Sequence, residues 1–564
     1  MDRRSFFILS AASSVGMATF SMPGFSQKIP AAELKADVVI IGGGVGGCSA
    51  ALAALRNGRS VIMTEETDWI GGQLTQQAVP PDEHPWIETH GSNQSYRDFR
   101  TRIRDYYRRN YPMTEEARNN ERLNPGDGWV SRICHEPRVS LAVLYELLAP
   151  FMSMGRLTIL LRTVPVGAAV QGDRVSAVTV QCEETGTKHF LTAPYFIDAT
   201  ECGDLLPLTG TEYVTGFESQ KETGERLAPA EAQPANMQAF TYCFAMDYLE
   251  GEDHTIDKPA MYDFWREFVP PLTPPWPGKL LAWPYSHPHT LKPNEAMRCD
   301  PPLESTGQYR GFWTYRRIAN KANFLPGTYP SDICLVNWPH NDYLLGNPYE
   351  NSPEENQKHL AQAKQLSLSL LYWMQTECPR ADGKTGLPGL RLRKDIVGTA
   401  DGLAKYPYIR ESRRIRAEFT VCQQHVATED RMKETGLSES EVKATPFPDS
   451  IGLGFYRLDL HPSTGGDNYV DLSSLPYQVP LGALIPRRME NLLPGCKNLG
   501  VTHLTNGCYR LHPTEWVIGE AVGTLAAFCL QTGEIPRGVR NQQSRLAEFQ
   551  QHLQAQGVEI AWPT

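Results

Sequence analysis

The 564 residues contain no Cys-x-x-Cys pair. Twelve cysteines, among them Cys48, Cys134, Cys202, Cys243, Cys334, Cys496 and Cys508, are scattered singly. That spacing excludes a zinc ribbon and a dithiol redox motif, offers no metal-ligand pattern, and leaves disulfide pairing open. There is no positive charge excess either: 54 Lys+Arg stand against 64 Asp+Glu, a formal net charge of −10. This is the wrong sign for a protein that works on phosphate backbones, so nucleic acid is not expected as a partner. Low-complexity tracts and repeats are lacking, which argues against an array or scaffold. After Gln27 no apolar run reaches the roughly 20 residues that a membrane-spanning helix needs, so no transmembrane anchor is expected in the mature chain. The composition, 41% hydrophobic and 21% charged, is that of packed globular domains.

The first stretch, Met1 to Gln27, carries Arg3 and Arg4, then Ser5-Phe6-Phe7, an apolar run to about Phe20, and small residues around Gly24-Phe25-Ser26. It resembles a bacterial twin-arginine signal, which predicts removal of residues 1–26 and a periplasmic or secreted protein.

The run Ala36 to Ile41 is short and β-rich. It feeds directly into Gly42-Gly43-Gly44-Val45-Gly46-Gly47 and then a helical stretch from Cys48 to Asn57. Strand, G-x-G-x-x-G, helix is the order a dinucleotide site requires. Gly42 permits the tight turn, Gly44 lets backbone approach a pyrophosphate, and Gly47 lets helix and strand pack closely. A second strand, Ser60 to Thr64, delivers Glu65, a carboxylate placed to accept hydrogen bonds from a ribose. No second complete G-x-G-x-x-G follows, because Gly452-Leu453-Gly454 lacks the third glycine. A separate nicotinamide domain is therefore not expected.

Glu65 is followed by Gly71-Gly72-Gln73-Leu74-Thr75, which resembles the FAD signature of glutathione-reductase-like flavoproteins. Four β-like runs from Leu157 onward, broken at Gly172-Asp173 and Thr185-Gly186, end in Ile197-Asp198-Ala199-Thr200. These flavoproteins carry such a meander ending in an Ala-Thr-Gly-like turn, with Glu201 here in place of the glycine. Near the far end, Asn491 to Gly523 includes His503, Asn506, Arg510 and Pro513, then a helix with Gly519, Ala521, Gly523, Ala526 and Ala527. Small residues of this kind suit close approach to a strand or ring. Together with Tyr408-Ile409-Arg410-Glu411-Ser412-Arg413-Arg414-Ile415, these segments resemble the bacterial FAD-dependent oxidoreductase family from about residue 36 to about 532.

The resemblance implies an α/β fold: a Rossmann-like FAD-binding domain built from discontinuous segments, 36–215 and 480–535. An α+β substrate or cap domain, 216–479, is inserted between them, and 536–564 forms a C-terminal tail. It implies FAD held by Gly42, Gly44, Gly47, Glu65, Gly72, Gln73, Thr75, Asp198, Ala199, Thr200, Asn506 and Pro513. Pro513 suits a first helical position, whose amides would stabilise negative charge on the flavin. His84 and His90 lie in a loop where some relatives attach FAD covalently.

The expected chemistry is oxidation of a small hydroxylated or amine substrate by hydride transfer to flavin, which needs a base for the O–H or N–H proton. His503 and His340 are the candidate bases. Arg510, and less so Arg410, are candidates to hold an anion or polarise a carbonyl. The acceptor is open among oxygen, a quinone and a protein. Two alternatives remain: reduction of a double bond with an arginine as proton donor, and a flavin-retaining binding protein without turnover. Ten prolines between Pro270 and Pro302, and Trp265, Trp276, Trp283, Trp313 and Trp338, read as a rigid aromatic cap over the pocket or as ordinary loop packing. The stretch Tyr96 to Asn110 reads as an amphipathic helix with Arg100, Arg104 and Arg108 on a solvated face.

Overall fold

The computed structural model describes residues 32–563 except 295, 296, 305, 306, 308 and 309; the twin-arginine-like segment lies outside the described residues. Five parallel strands form the sheet that positions the site: β1 (Val38–Ile41), β2 (Val61–Glu65), β3 (Leu157–Leu161), β4 (Tyr195–Asp198) and β5 (Leu492–Pro494). Their order is β5-β4-β1-β2-β3, so a strand from the end of the chain closes a sheet begun near its start. Register is set by burial on both faces. Val38 and Ile40 face one apolar cluster while Val39 and Ile41 face another, and all four are fully buried. A one-residue slip would exchange the two faces of every strand.

Three antiparallel strands, Thr163–Gln171, Arg174–Cys182 and Lys188–Thr192, cover one side, with left-handed glycines at the expected turns Gly172 and Gly186. The middle of the chain builds a second four-stranded sheet from Phe244–Tyr248, Arg317–Ala319, Ile333–Val336 and Leu390–Leu392. Trp265, Trp276, Trp283, Trp313 and Trp338 are all buried in the apolar cluster of this region, so the tryptophan-rich loops are packed from within.

On the other side of the parallel sheet, α1 (Val45–Arg56) lies against α5 (His512–Thr532), which follows the short α4 (His503–Tyr509). A Cβ on Gly519 would stand 2.0 Å from the Gly46 carbonyl, and one on Gly523 2.3 Å from that of Ala50. The small residues of α5 therefore serve the approach of one helix to another.

The basic helix differs from expectation. In α2 (Gln94–Asn110), which packs on α3 (Pro137–Ser153), Arg100 is 1% exposed and Arg104 is also buried. Arg100 pairs with Glu83 and Glu88, and Arg104 with Glu88. The acids come from a loop that helical periodicity cannot foresee. In the C-terminal segment, α6 (Gln543–Ala555) buries Phe549 and Leu553 against the core.

Gly519→Ala is expected to lower stability by roughly 1–3 kcal/mol or to prevent soluble expression, because main chain leaves no room for a methyl group. Gly167→Ala, whose new Cβ would meet only the Thr179 side chain at 3.9 Å, is expected to unfold like the parent. Thermal unfolding of both checks the contrast.

Candidate active site

Three strand ends converge on the glycine loop. Gly42 has φ +99°, and a Cβ there would lie 2.2 Å from the Ala199 carbonyl, in the turn after β4. At Gly46 it would lie 1.7 Å from the Gly495 carbonyl, just after β5, and at Gly47 2.1 Å from that of Gly42. The N-cap residue of α1, Gly44, offers no side-chain cap, and the Gly46 amide in the first turn is met instead by Glu515 (3.4 Å). Gly72 packs on the loop as well: its Cβ would meet the Gly44 Cα at 2.9 Å, and Gly71 N–H donates to the Gly43 carbonyl at 2.7 Å.

Glu65 ends β2 buried, and it accepts from Gly43 N–H (3.1 Å) and Thr67 N–H (2.8 Å). Burial pushes its carboxyl up to about 8. Thr75 uses its hydroxyl on the Ile70 carbonyl (2.7 Å). Asp198 accepts from the Thr200 amide and hydroxyl (3.1 and 2.7 Å) and the Leu205 amide (3.1 Å). Asp198 and Thr200 thus shape the turn that places Ala199 under Gly42.

Residues absent from the sequence expectations fill the floor of the cradle. Glu201 pairs with Lys497, and the other oxygen, Glu201 Oε1, would lie 2.9 Å from a Cβ on Gly44. Glu515 accepts from Gly46 N–H (3.4 Å), from the Cys496 thiol (3.0 Å) and from Gln73 Nε2. Gln73 Nε2 also donates to the Arg510 carbonyl (2.9 Å), which ties the cradle to the start of α5. Only Gln73 and the departure at Glu201 marked this cluster in the sequence.

Beyond that point lies a second charged network. Arg510 donates to the Tyr408 hydroxyl (2.9 Å) and stands 3.4 Å from Asp459 Oδ2. Asp459 faces His461 Nε2 at 3.8 Å, and His461 Nδ1 donates to Asp342 at 2.5 Å. Asp342 is buried, yet Arg410 (3.0 Å) and His461 outweigh that burial and hold its carboxyl below the usual range. The His461 side chain is 17% exposed, whereas those of Asp342 and Arg410 are almost wholly enclosed. Neither His461 nor Asp342 stands in a recognisable motif.

The expected bases sit elsewhere. His503 bonds Glu411 (2.9 Å) and stacks on Phe217, with Arg414 on the same carboxylate. Burial notwithstanding, His503 and Arg414 hold Glu411 down at about 2. His340 lies among Trp276, Tyr285 and Trp338, and burial drives its pKa down to about 4. His84 bonds the Gly91 carbonyl (3.1 Å) beside Trp562, while His90 stacks on Trp86. Asn506, in α4, donates to the Arg410 carbonyl (2.9 Å), and Pro513 is in the first turn of α5.

These residues fit FAD. The glycine loop, the first-turn amides of α1 and Glu65 suit its diphosphate and ribose. Several of these residues carry buried polar atoms without partners: Glu201 Oε1, Gln73 Oε1, Asn506 Oδ1, Arg510 Nε and Arg410 Nε. Unpaired buried donors and acceptors are costly unless a polar group meets them. The start of α5 likewise lacks a side-chain cap.

Fold and site define a Rossmann-like, FAD-dependent oxidoreductase. The chain belongs to the FAD dependent oxidoreductase family, whose model matches residues 37–553. It is 35% identical to the FAD-dependent monooxygenase ntnJ of Nectria sp over 66 residues, 12% of this chain and 16% of that protein. The chain thus spans about a sixth of that relative's length. Among solved structures it is similar to the L-proline dehydrogenase from P. horikoshii at 18% identity and TM-score 0.16, covering 33% of this chain and 25% of that one. The glycerol-3-phosphate dehydrogenase from Bacillus halodurans, complexed with FAD, matches at 12% identity and TM-score 0.21, covering 38% and 40%. The myxobacterial chondrochloren halogenase CndH matches at 15% and 0.21, covering 39% and 45%.

Gly42→Ala is expected to yield protein that lacks visible flavin absorption and takes up no added FAD, since the new methyl collides with main chain in the left-handed region. Absorption spectra after purification and after FAD addition check this.

Proposed function

We propose that the protein is an exported dehydrogenase or oxidase that removes a hydride from a C–H next to oxygen or nitrogen on a small hydroxylated or amine substrate. The Asp342–His461 pair carries this reading. Bound FAD supplies a two-electron acceptor for the hydride. With its Nδ1–H donated to Asp342, the His461 ring presents Nε2 as a proton acceptor. Asp342 orients the ring and stabilises the imidazolium formed when the substrate O–H or N–H proton arrives. Arg410 keeps Asp342 ionised, so the pair is set to receive a proton. The Tyr469 ring stands edge-on to His461 at 5.4 Å with its hydroxyl unpartnered, a suitable neighbour for a polar substrate group.

This geometry favours oxidation over the alternative of double-bond reduction with an arginine donor. Arg510 is committed to Tyr408 and Asp459, which outweigh burial and hold it cationic. It suits an anion-holding or carbonyl-polarising role better than that of a proton donor. Export is supported by the Arg3-Arg4 segment and the apolar run after it.

His461→Gln is expected to lower kcat/KM by roughly 10²–10⁴ with flavin content unchanged. Asp342→Asn should have a smaller effect with the same split. The assay is anaerobic bleaching of the flavin on substrate addition, and parental bleaching rates in His461→Gln would refute the base assignment. Replacing Arg3 and Arg4 by lysine should leave the protein in the cytoplasmic fraction, with its precursor length retained.

A further inference from the structure

The carboxylates of Glu201 and Glu515 lie against the loop that receives a diphosphate. Glu515 occupies the Gly46 amide at the N-terminus of α1, one of the donors an arriving phosphate would use. Glu201 Oε1 is buried without a partner and close to Gly44. One oxygen of each carboxylate and the Cys496 sulfur lie within 4.8 Å of one another, a spacing that would suit a metal ion. The ammonium of Lys497, wholly buried, already bonds Glu201 and Cys496 and takes the place of such a cation. Burial alone would push Lys497 down, and the Glu201 and Glu515 carboxylates beside it hold it charged.

One positive charge cannot balance two carboxylates and a dianionic diphosphate in a dry site. The groups facing Glu515 allow only one remedy. Cys48 and the Gly46 amide come from α1, Glu201 from the turn after β4, Cys496 and Lys497 from the turn after β5, and Gln73 from the Gly72 turn. Glu65, pushed up to about 8 by burial, lies near Glu201 and adds a negative charge only above that range. Glu201 is tied to Lys497, so Glu515 is the carboxylate free to change state. As a neutral acid it can donate to a phosphate oxygen that it would repel as an anion.

We propose that Glu515 takes up one proton from solvent when FAD binds, with the Glu201–Lys497 pair kept as the fixed charge beside the diphosphate. The proposal rests on the FAD assignment and is independent of the substrate reading. In the free protein burial already raises Glu515, and Glu201 adds to the rise against Lys497, so the pH window in which FAD adds a proton opens above that raised titration. The sign follows from linkage. A proton bound only with FAD makes binding weaken as pH rises above the titration of Glu515 in the free protein, and binding is insensitive to pH below it.

The experiment dilutes the holoenzyme at a series of pH values from mildly acidic to mildly alkaline and measures released FAD by its fluorescence at equilibrium. The FAD dissociation constant should rise about tenfold per pH unit across the window. Glu515→Gln should bind FAD with no such slope. Glu201→Gln should keep the slope but shift its onset to lower pH, because the repelling neighbour is gone. This second variant keeps the test decisive if Glu515→Gln does not fold. A flat profile in the parent protein, an unchanged slope in Glu515→Gln, or release that follows added Mg2+ or chelator instead of pH would overturn the proposal.

Discussion

The architecture depends on main chain meeting main chain at the glycine loop. The turns after β4 and β5 press against Gly42 and Gly46 so closely that no side chain fits between them. That contact fixes where the last part of the chain must return. Once Gly495 is seated on Gly46, the short connection to α5 carries the helix back across α1, and Gly519 and Gly523 are needed for the second approach. A constraint of a few ångströms in the first fifth of the chain thus dictates the composition of a helix more than 450 residues later.

The same closeness makes the cradle dry, and dryness governs its electrostatics. A buried ion pair costs desolvation that only good geometry and complete hydrogen bonding return. Glu201 and Lys497 form such a pair against the loop, whereas Glu515 draws on an amide, a thiol and a carboxamide. The Asp342–His461–Arg410 network is graded instead, enclosed at the carboxylate and partly open at the imidazole. That gradient suits a proton-accepting ring, because the charged partner stays fixed while the imidazole meets what enters. The Glu411–His503–Arg414 network is enclosed throughout, as a structural tie would be.

How much could be read beforehand depended on the range of the interaction. Gly42 to Gly47, Glu65 and the Gly71-Gly72 turn were legible because a strand, a tight turn and a helix N-terminus impose local backbone requirements that only certain residues meet. The small-residue stripe of α5 was visible too, although its neighbour, α1, was not. Helical spacing likewise marked a basic row on α2 but not Glu83 and Glu88, the loop carboxylates that bury Arg100 and Arg104. His461 and Asp342 are 119 residues apart with no motif around either.

The amino-acid sequence by itself determined the nucleotide-binding half of this protein, since glycine alone satisfies the close approaches and positive φ of the loop, and the order of strand, turn and acid is local. Tertiary structure alone decided which charges face one another: Glu201 with Lys497, Glu515 with the Gly46 amide, and Asp342 with His461. The physical reason is that polar groups tolerate burial only beside a partner, and partners are assigned by the folding of distant segments onto one another, which spacing along the chain does not record.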